Sequence, residues 1–234
     1  MIFRKIARQR ADVTESHMPA EVTIFELRSR SPDTLRRRLA ASRLKRVTAI
    51  GNPSLLDGRL LAFICSSKCP GNVILDVYDL ARELRNAAVT VIGGFHSPME
   101  RECLELLLRG TQPIIICPAR SLQTMRIAKA WNEALESARL LLLSPFPPSQ
   151  RTVTADSATR RNRFVAQIAD EILVAHAAAG GKTEAFCREL LGTRKPLLTI
   201  DRPENRFLLD LGAEPLSVAN IGQRWPNASG AGRH

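Results

Sequence analysis

The chain has 234 residues, 44% of them hydrophobic and only 5% aromatic, with 34 Lys plus Arg against 23 Asp plus Glu and a formal net charge of +11. This is enough apolar material for one large core, which excludes global disorder, and a core of Leu, Ile, Val and Ala fits α/β layering better than an aromatic-rich β-sandwich. The basic excess attracts phosphates or acidic surfaces, with a merely solvated basic surface as the competing explanation. No run of about 18 apolar residues is present, so no membrane span is expected. The start "MIFRKIARQRAD" lacks the apolar stretch and cleavage site of a signal peptide, and a cytoplasmic location is expected.

Residues 1–43 read as a basic N-terminal extension, partly disordered or helical. The stretch from Arg28 to Arg46 holds eight basic residues against one acid. Ser31, Pro32 and Asp33 are suited to start a short helix there, as a capping residue followed by an N1-type proline. From Leu60 onward, short apolar runs alternate with segments of helical period. "LLAFIC", "VTVIGG", "PIIIC", "RLLLLS", "EILVA" and "PLLTI" read as strands. "NVILDVYDLARELRNA", "PMERECLELLLRG", "RIAKAWNEALESA", "ATRRNRFVAQIA" and "TEAFCRELLG" read as the helices between and after them. Unbroken Ile, Leu and Val runs indicate strands buried on both faces. The expected architecture is therefore a three-layer Rossmann-like fold over residues 44–220, with a mostly parallel sheet of about six or more strands and a disordered tail at 221–234.

In such a sheet ligands bind at the carboxyl ends of the strands. Three of the loops there are distinctive: "CSSKCPG" (Cys65 to Gly71), "GGFHSPME" (Gly93 to Glu100) and "HAAAGGKTE" (His176 to Glu184). Each precedes a helix, whose first N–H groups and positive dipole end suit phosphate; tight βα turns are the plainer explanation for any one of them. A further loop, "SPFPPSQRTVTAD" from Ser144, leads into Arg160, Arg161, Asn162 and Arg163. Three guanidiniums within four helical residues cannot all face one way. Some of them should be buried in structural hydrogen bonds; Arg160 and Arg163, three apart, either form ion pairs or, in the alternative, at least one of the guanidiniums meets a phosphate.

Standard catalytic and cofactor signatures fail residue by residue. G-x-G-x-x-G follows none of the strands, and "GGKT" lacks the earlier P-loop glycine, since that position is His176. There is no G-x-S-x-G, and His17, His96, His176 and His234 lack HExxH spacing. Of the five cysteines only Cys65 and Cys69 are close, with no further pair to complete a zinc site. The five read as reduced thiols. No metal, no cofactor and no catalytic residue is expected, and the reading leans away from an enzyme.

The residues do carry a family resemblance. "RRNRFVAQIADEILVAHAAAGGKTEAF", "SPFPP", "VTVIGGFHSPME" and "GNPSLLDGRLLAFICSSKCPG" occur in the order of the corresponding blocks of the DprA/Smf DNA-processing family, and the chain resembles that family's Rossmann-like core from about Leu44 to Val218. The resemblance implies binding of single-stranded DNA through backbone phosphates in a basic groove, and its hand-over to a recombinase in DNA uptake or repair. It implies no cofactor. A recombinase and a second copy of the chain are the further partners to test, and no membrane contact is expected. The contact residues it implies are Ser66, Ser67 and Lys68 in the first loop, and Gly94, Phe95 and His96 in the second. Arg161, Asn162 and Arg163 of the fourth loop and Gly181, Lys182 and Thr183 of the fifth complete the set. The chain departs from the family where Gly-Ser-Arg is expected: Cys65, Ser66 and Ser67 stand there, and Lys68 is the nearest cation. The competing assignment is a small-nucleotide-binding protein or nucleotide hydrolase of the related phosphoribohydrolase-like group. Against it, "AAAGGKTEAF" lacks that group's third glycine.

Overall fold

A computed structural model describes residues 21–27, 31–40, 42–123 and 125–226. Nine strands form one sheet: β1 (Thr23–Glu26), β2 (Arg46–Gly51), β3 (Leu60–Cys65), β4 (Thr90–Gly93), β5 (Ile114–Ile116), β6 (Leu140–Ser144), β7 (Glu171–His176), β8 (Leu197–Ile200) and β9 (Glu214–Leu216). Their order is β1-β2-β6-β5-β4-β3-β7-β8-β9. All pairings from β6 to β9 are parallel, whereas β2 is antiparallel to both of its neighbours. The helices are α1 (Asp33–Arg38), α2 (Gly71–Leu84), α3 (Pro98–Leu108), α4 (Asn132–Glu136), α5 (Ala155–Ile168), α6 (Lys182–Leu190), α7 (Arg206–Asp210) and α8 (Val218–Arg224).

All six strands expected from continuous apolar runs are present, and every residue of β3, β6 and β7 is buried. Alternate residues serve opposite layers. Leu61, Phe63 and Cys65 join the core beneath α2 and α3, while Leu60, Ala62 and Ile64 join that beneath α5 and α6. The expected helix over "RIAKAWNEALESA" is reduced to a 3-10 turn at Lys129–Trp131 and α4. Neither piece has a side-chain N-cap, and the left-handed Ala138 (φ 56°) ends the segment.

The fold exceeds residues 44–220 at both ends. β1 pairs with β2, and Leu35 of α1 is fully buried, so part of 1–43 belongs to the core. At the other end α8 runs past 220 and places Trp225 at 1% exposure. The buried Glu171 holds this end: one oxygen accepts from Arg59 and Arg224 and the other from the Trp225 indole N–H at 3.0 Å. Residues 1–20 and 227–234 lie outside the described residues. Among the described residues no helix is long and apolar enough to cross a membrane.

Burying a Trp side chain to this degree predicts that Trp225→Ala destabilises the fold by about 3 to 5 kcal/mol, measured by urea unfolding. A change within about 0.5 kcal/mol, the range of surface substitutions, would show that 221–226 behaves as a tail.

Candidate nucleic-acid interface

After β3 the chain passes through α2 to β4 on one side, while after β7 it passes through α6 to β8 on the other. The direction of winding reverses between β3 and β7, and a crevice opens where adjacent crossovers diverge. Ser66 fastens the two sides of that crevice. Its N–H donates to the His176 carbonyl at 3.0 Å, and its Oγ accepts the Ala178 N–H at 2.9 Å. One step further along the rim, Asn205 Nδ2 donates to the carbonyls of Ala175 and Ile200, which leaves Oδ1 as the acceptor. The His176 Nδ1 at 2.8 Å therefore carries a proton. His176 and Asn205 were not singled out as site residues by sequence reasoning; nothing in their spacing, 29 positions apart, announces the pair.

The second loop is built around Glu100. This carboxylate, only 5% exposed, accepts the Cys65 N–H at 2.9 Å on one oxygen and the N–H groups of His96 and Ser97 at 2.8 and 3.2 Å on the other. Ser97 Oγ in turn accepts the Glu100 N–H, which closes a capping box. The expectation that all three helix N-termini present free N–H groups to an anion is corrected here. At α3 the chain's own carboxylate occupies that position.

Gly94 and Arg161 form a packing pair. A Cβ built on Gly94 would fall 1.3 Å from Arg161 Nη1, so only glycine admits the guanidinium. Arg161, at 4% exposure, donates to the Cys117 carbonyl and to Asn162 Oδ1. Burial lowers its pKa, and the charge of Glu100 opposes that shift. Phe95 is buried with φ 46°, so His96 is the one well-exposed side chain among Gly94, Phe95 and His96.

Arg161, Asn162 and Arg163 lie within α5 and not in the loop before it, because the capping box of Thr154 and Ser157 starts the helix earlier. Arg163 is exposed but held in a two-pronged contact by Glu189 of α6, with both distances 2.8 Å. The hydrogen bonds and charge of Glu189 raise its pKa.

Ser67, Lys68 and Lys182 are exposed, and Gly181 and Thr183 are half-buried at the start of α6. Gly180 takes φ 67°, and its N–H is held at 2.7 Å by Glu184. Other cations leave the same edge. The β5 loop carries Arg120 and Arg126, and the β6 loop carries Arg151. The two loops are tied by Ser144 Oγ to the Arg120 carbonyl and by the Ser121 N–H to the Gln150 carbonyl. Among the described residues, Lys68, Arg120, Arg126, Arg151 and Lys182 make no ion pair, whereas Arg163, Arg202 and Arg224 away from this stretch do. Near β8 the sign changes, with Asp201 and Glu204 beside an Arg202 paired to Asp76. Clustering by strand order would have pointed to Arg126 and Arg151, because the loops after β5 and β6 share the rim.

The fold and this edge define a Rossmann-like α/β protein with unpaired cations along the carboxyl ends of its parallel strands. The chain belongs to the DNA recombination-mediator protein A family, whose family model matches residues 30–188. Among solved structures it resembles DNA processing protein A from Streptococcus pneumoniae, with a TM-score of 0.70 and 16% identity over 87% of this chain and 74% of that one. It also resembles the Helicobacter pylori protein, described for its single-stranded DNA binding mode, with a TM-score of 0.70 and 19% identity over 88% of this chain and 95% of that one. No curated protein matches the sequence.

The close approach at Gly94 predicts that Gly94→Ala costs roughly 3 kcal/mol in urea unfolding. In combination with Arg161→Ala the loss should be clearly less than additive, because removing the guanidinium makes room for the new methyl. Strict additivity would contradict the packing described.

Proposed function

We propose that the chain binds single-stranded DNA through its sugar–phosphate backbone, along the rim from the β6 loop to the β7 loop, and passes the strand to a recombinase. The observation that carries this reading is the run of exposed cations lacking carboxylate partners on that rim. By contrast, Arg163, Arg188, Arg202 and Arg224 are paired with carboxylates and offer an external anion less than the unpaired cations of the rim do. The family and the single-stranded DNA named for the H. pylori relative support the choice of ligand. In this reading Ser67, Lys68, His96, Lys182 and Thr183 meet phosphates together with Arg126 and Arg151. Ser66, Gly94, Phe95, Arg161 and Gly181 shape the groove, Asn162 supports it by accepting from Arg161, and Arg163 stays paired with Glu189.

Phosphate contacts release counterions, with a slope of about −0.7 per phosphate neutralised on a single strand. Four contacts would lower affinity roughly fifty-fold between 50 and 200 mM salt, with little dependence on base sequence. Fluorescence anisotropy with an oligonucleotide of about 20 bases reads this directly. Lys182→Glu and Lys68→Glu should each weaken binding several-fold and flatten the salt slope by about one unit. Absence of binding at 50 mM salt, or unchanged affinity in both variants, would overturn the proposal.

A further inference from the structure

Two thiols bracket the first loop. Cys65 is the last residue of β3, and Cys69 precedes Pro70, the N-cap of the 14-residue α2. Bends at Ser67 and Lys68 fold the chain back between them. Both side chains turn to the same face of the sheet, with Cys65 inside the apolar cluster beneath α2 and α3 and Cys69 packed against that cluster from the rim. There the two thiols are near enough for each to perturb the ionisation of the other.

The partners are unequal. The neighbouring Cys69 sulfur and burial both raise the Cys65 pKa, so this thiol keeps its proton. The neighbouring Cys65 thiol lowers the Cys69 pKa, and the positive end of α2 favours a thiolate there. Cys69 is also the one cysteine of the five that is not fully buried. Burial pushes Cys117 and Cys187 up to about 12, and raises Cys103 as well.

We infer that Cys69 and Cys65 are an attacking and a resolving thiol, a site of reversible exchange with small-molecule disulfides such as glutathione disulfide. The Cys69 thiolate attacks one sulfur of the disulfide, whose S–S bond breaks, and the departing thiolate takes up a proton. Cys69 is now a mixed disulfide and no longer a neighbouring thiolate, so its restraint on Cys65 ionisation is relieved. Cys65 loses its proton to solvent and attacks the Cys69 sulfur, and the second small thiolate leaves and is protonated. Two protein thiols are oxidised to one disulfide, and one glutathione disulfide is reduced to two glutathiones. Cys65 is fixed by its strand and by the bond from its N–H to Glu100. Closing the sulfurs to a bond of about 2.05 Å must therefore move Cys69, Ser67 and Lys68. The shape of the first loop follows the redox state of the pair.

The test uses the full chain and no DNA, so it stands apart from the function proposed above. The folded protein is incubated in glutathione buffers of increasing oxidised fraction, quenched by alkylation and mapped by peptide mass. The expected product is a peptide containing Cys65 and Cys69 that is two hydrogens lighter, with the other three thiols alkylated. In Cys65→Ser the expected product is Cys69 carrying one glutathionyl group. In Cys69→Ser, a change at the half-exposed position, Cys65 stays reduced. With iodoacetamide at pH 7, Cys69 should react about tenfold or more faster than any other cysteine. A Cys69 that remains a free thiol in the most oxidised buffer, or a Cys65→Ser variant without the mixed disulfide, overturns the assignment.

Discussion

The Glu100 carboxylate accepts the backbone N–H groups of Cys65, His96 and Ser97, and so joins the ends of β3 and β4 through one buried negative charge. Hydrogen bonds to a charged group contribute roughly 1.5–3 kcal/mol each, and without the carboxylate three buried donors would be left with no acceptor. The charge is tolerable because the Arg161 guanidinium lies close by, and the charge of Glu100 in turn favours the ionised form of that arginine. Arg161 can reach that position only because residue 94 has no side chain, and its remaining donor capacity secures the Cys117 carbonyl beyond β5. Three strand ends and α5 are thus held by one pair of opposite charges. Ser66 and the His176–Asn205 pair extend the same fastening to β7 and β8.

This internal arrangement decides where an external anion can go. A phosphate approaching α3 would meet a carboxylate already in the capping position. At α6, Glu184 holds the Gly180 N–H, but the Lys182 ammonium projects at the start of the helix and is exposed. The crevice between β3 and β7, with Lys68 on one side and Lys182 on the other, is therefore better disposed toward phosphate than the second loop. Two loops that read alike in sequence, each with paired glycines before a helix, differ because one buries its acid beneath the loop while the other sets the exposed Lys182 beside Glu184.

The layers of the fold were legible because β3 to β8, apart from the short connections, announce themselves as unbroken apolar runs, which only a doubly covered parallel strand can bury. β2 was hidden by the basic run that precedes it, and its position beside β6 depends on antiparallel pairing with residues nearly 100 positions away. β9 contains Pro215, which reads against a strand and is accommodated because β9 lies at the sheet edge. At the site, the loops were legible but their internal roles were not. Glu100 looked like an ordinary capping acid, and Arg161 and Arg163 looked alike. Only the turn of α5 sends Arg161 into the protein and Arg163 toward Glu189.

In the proposed function, the absence of the arginine that the family resemblance implies at Ser67 bears on how a phosphate would be held. A guanidinium offers a planar fork that fixes a phosphate in one orientation, whereas the Lys68 ammonium is a point charge on a flexible stem. In that proposal the geometric part of the contact would be weaker while the charge is kept. In the proposed function, the strand is held by the summed field of Lys68, Arg126, Arg151 and Lys182, spread over four loops, rather than by one precise clamp. A field of that kind is indifferent to base identity and tolerant of small shifts in the backbone of the strand. It is also sensitive to salt and to any movement of Lys68, whose position is bounded by the two cysteines of its own loop.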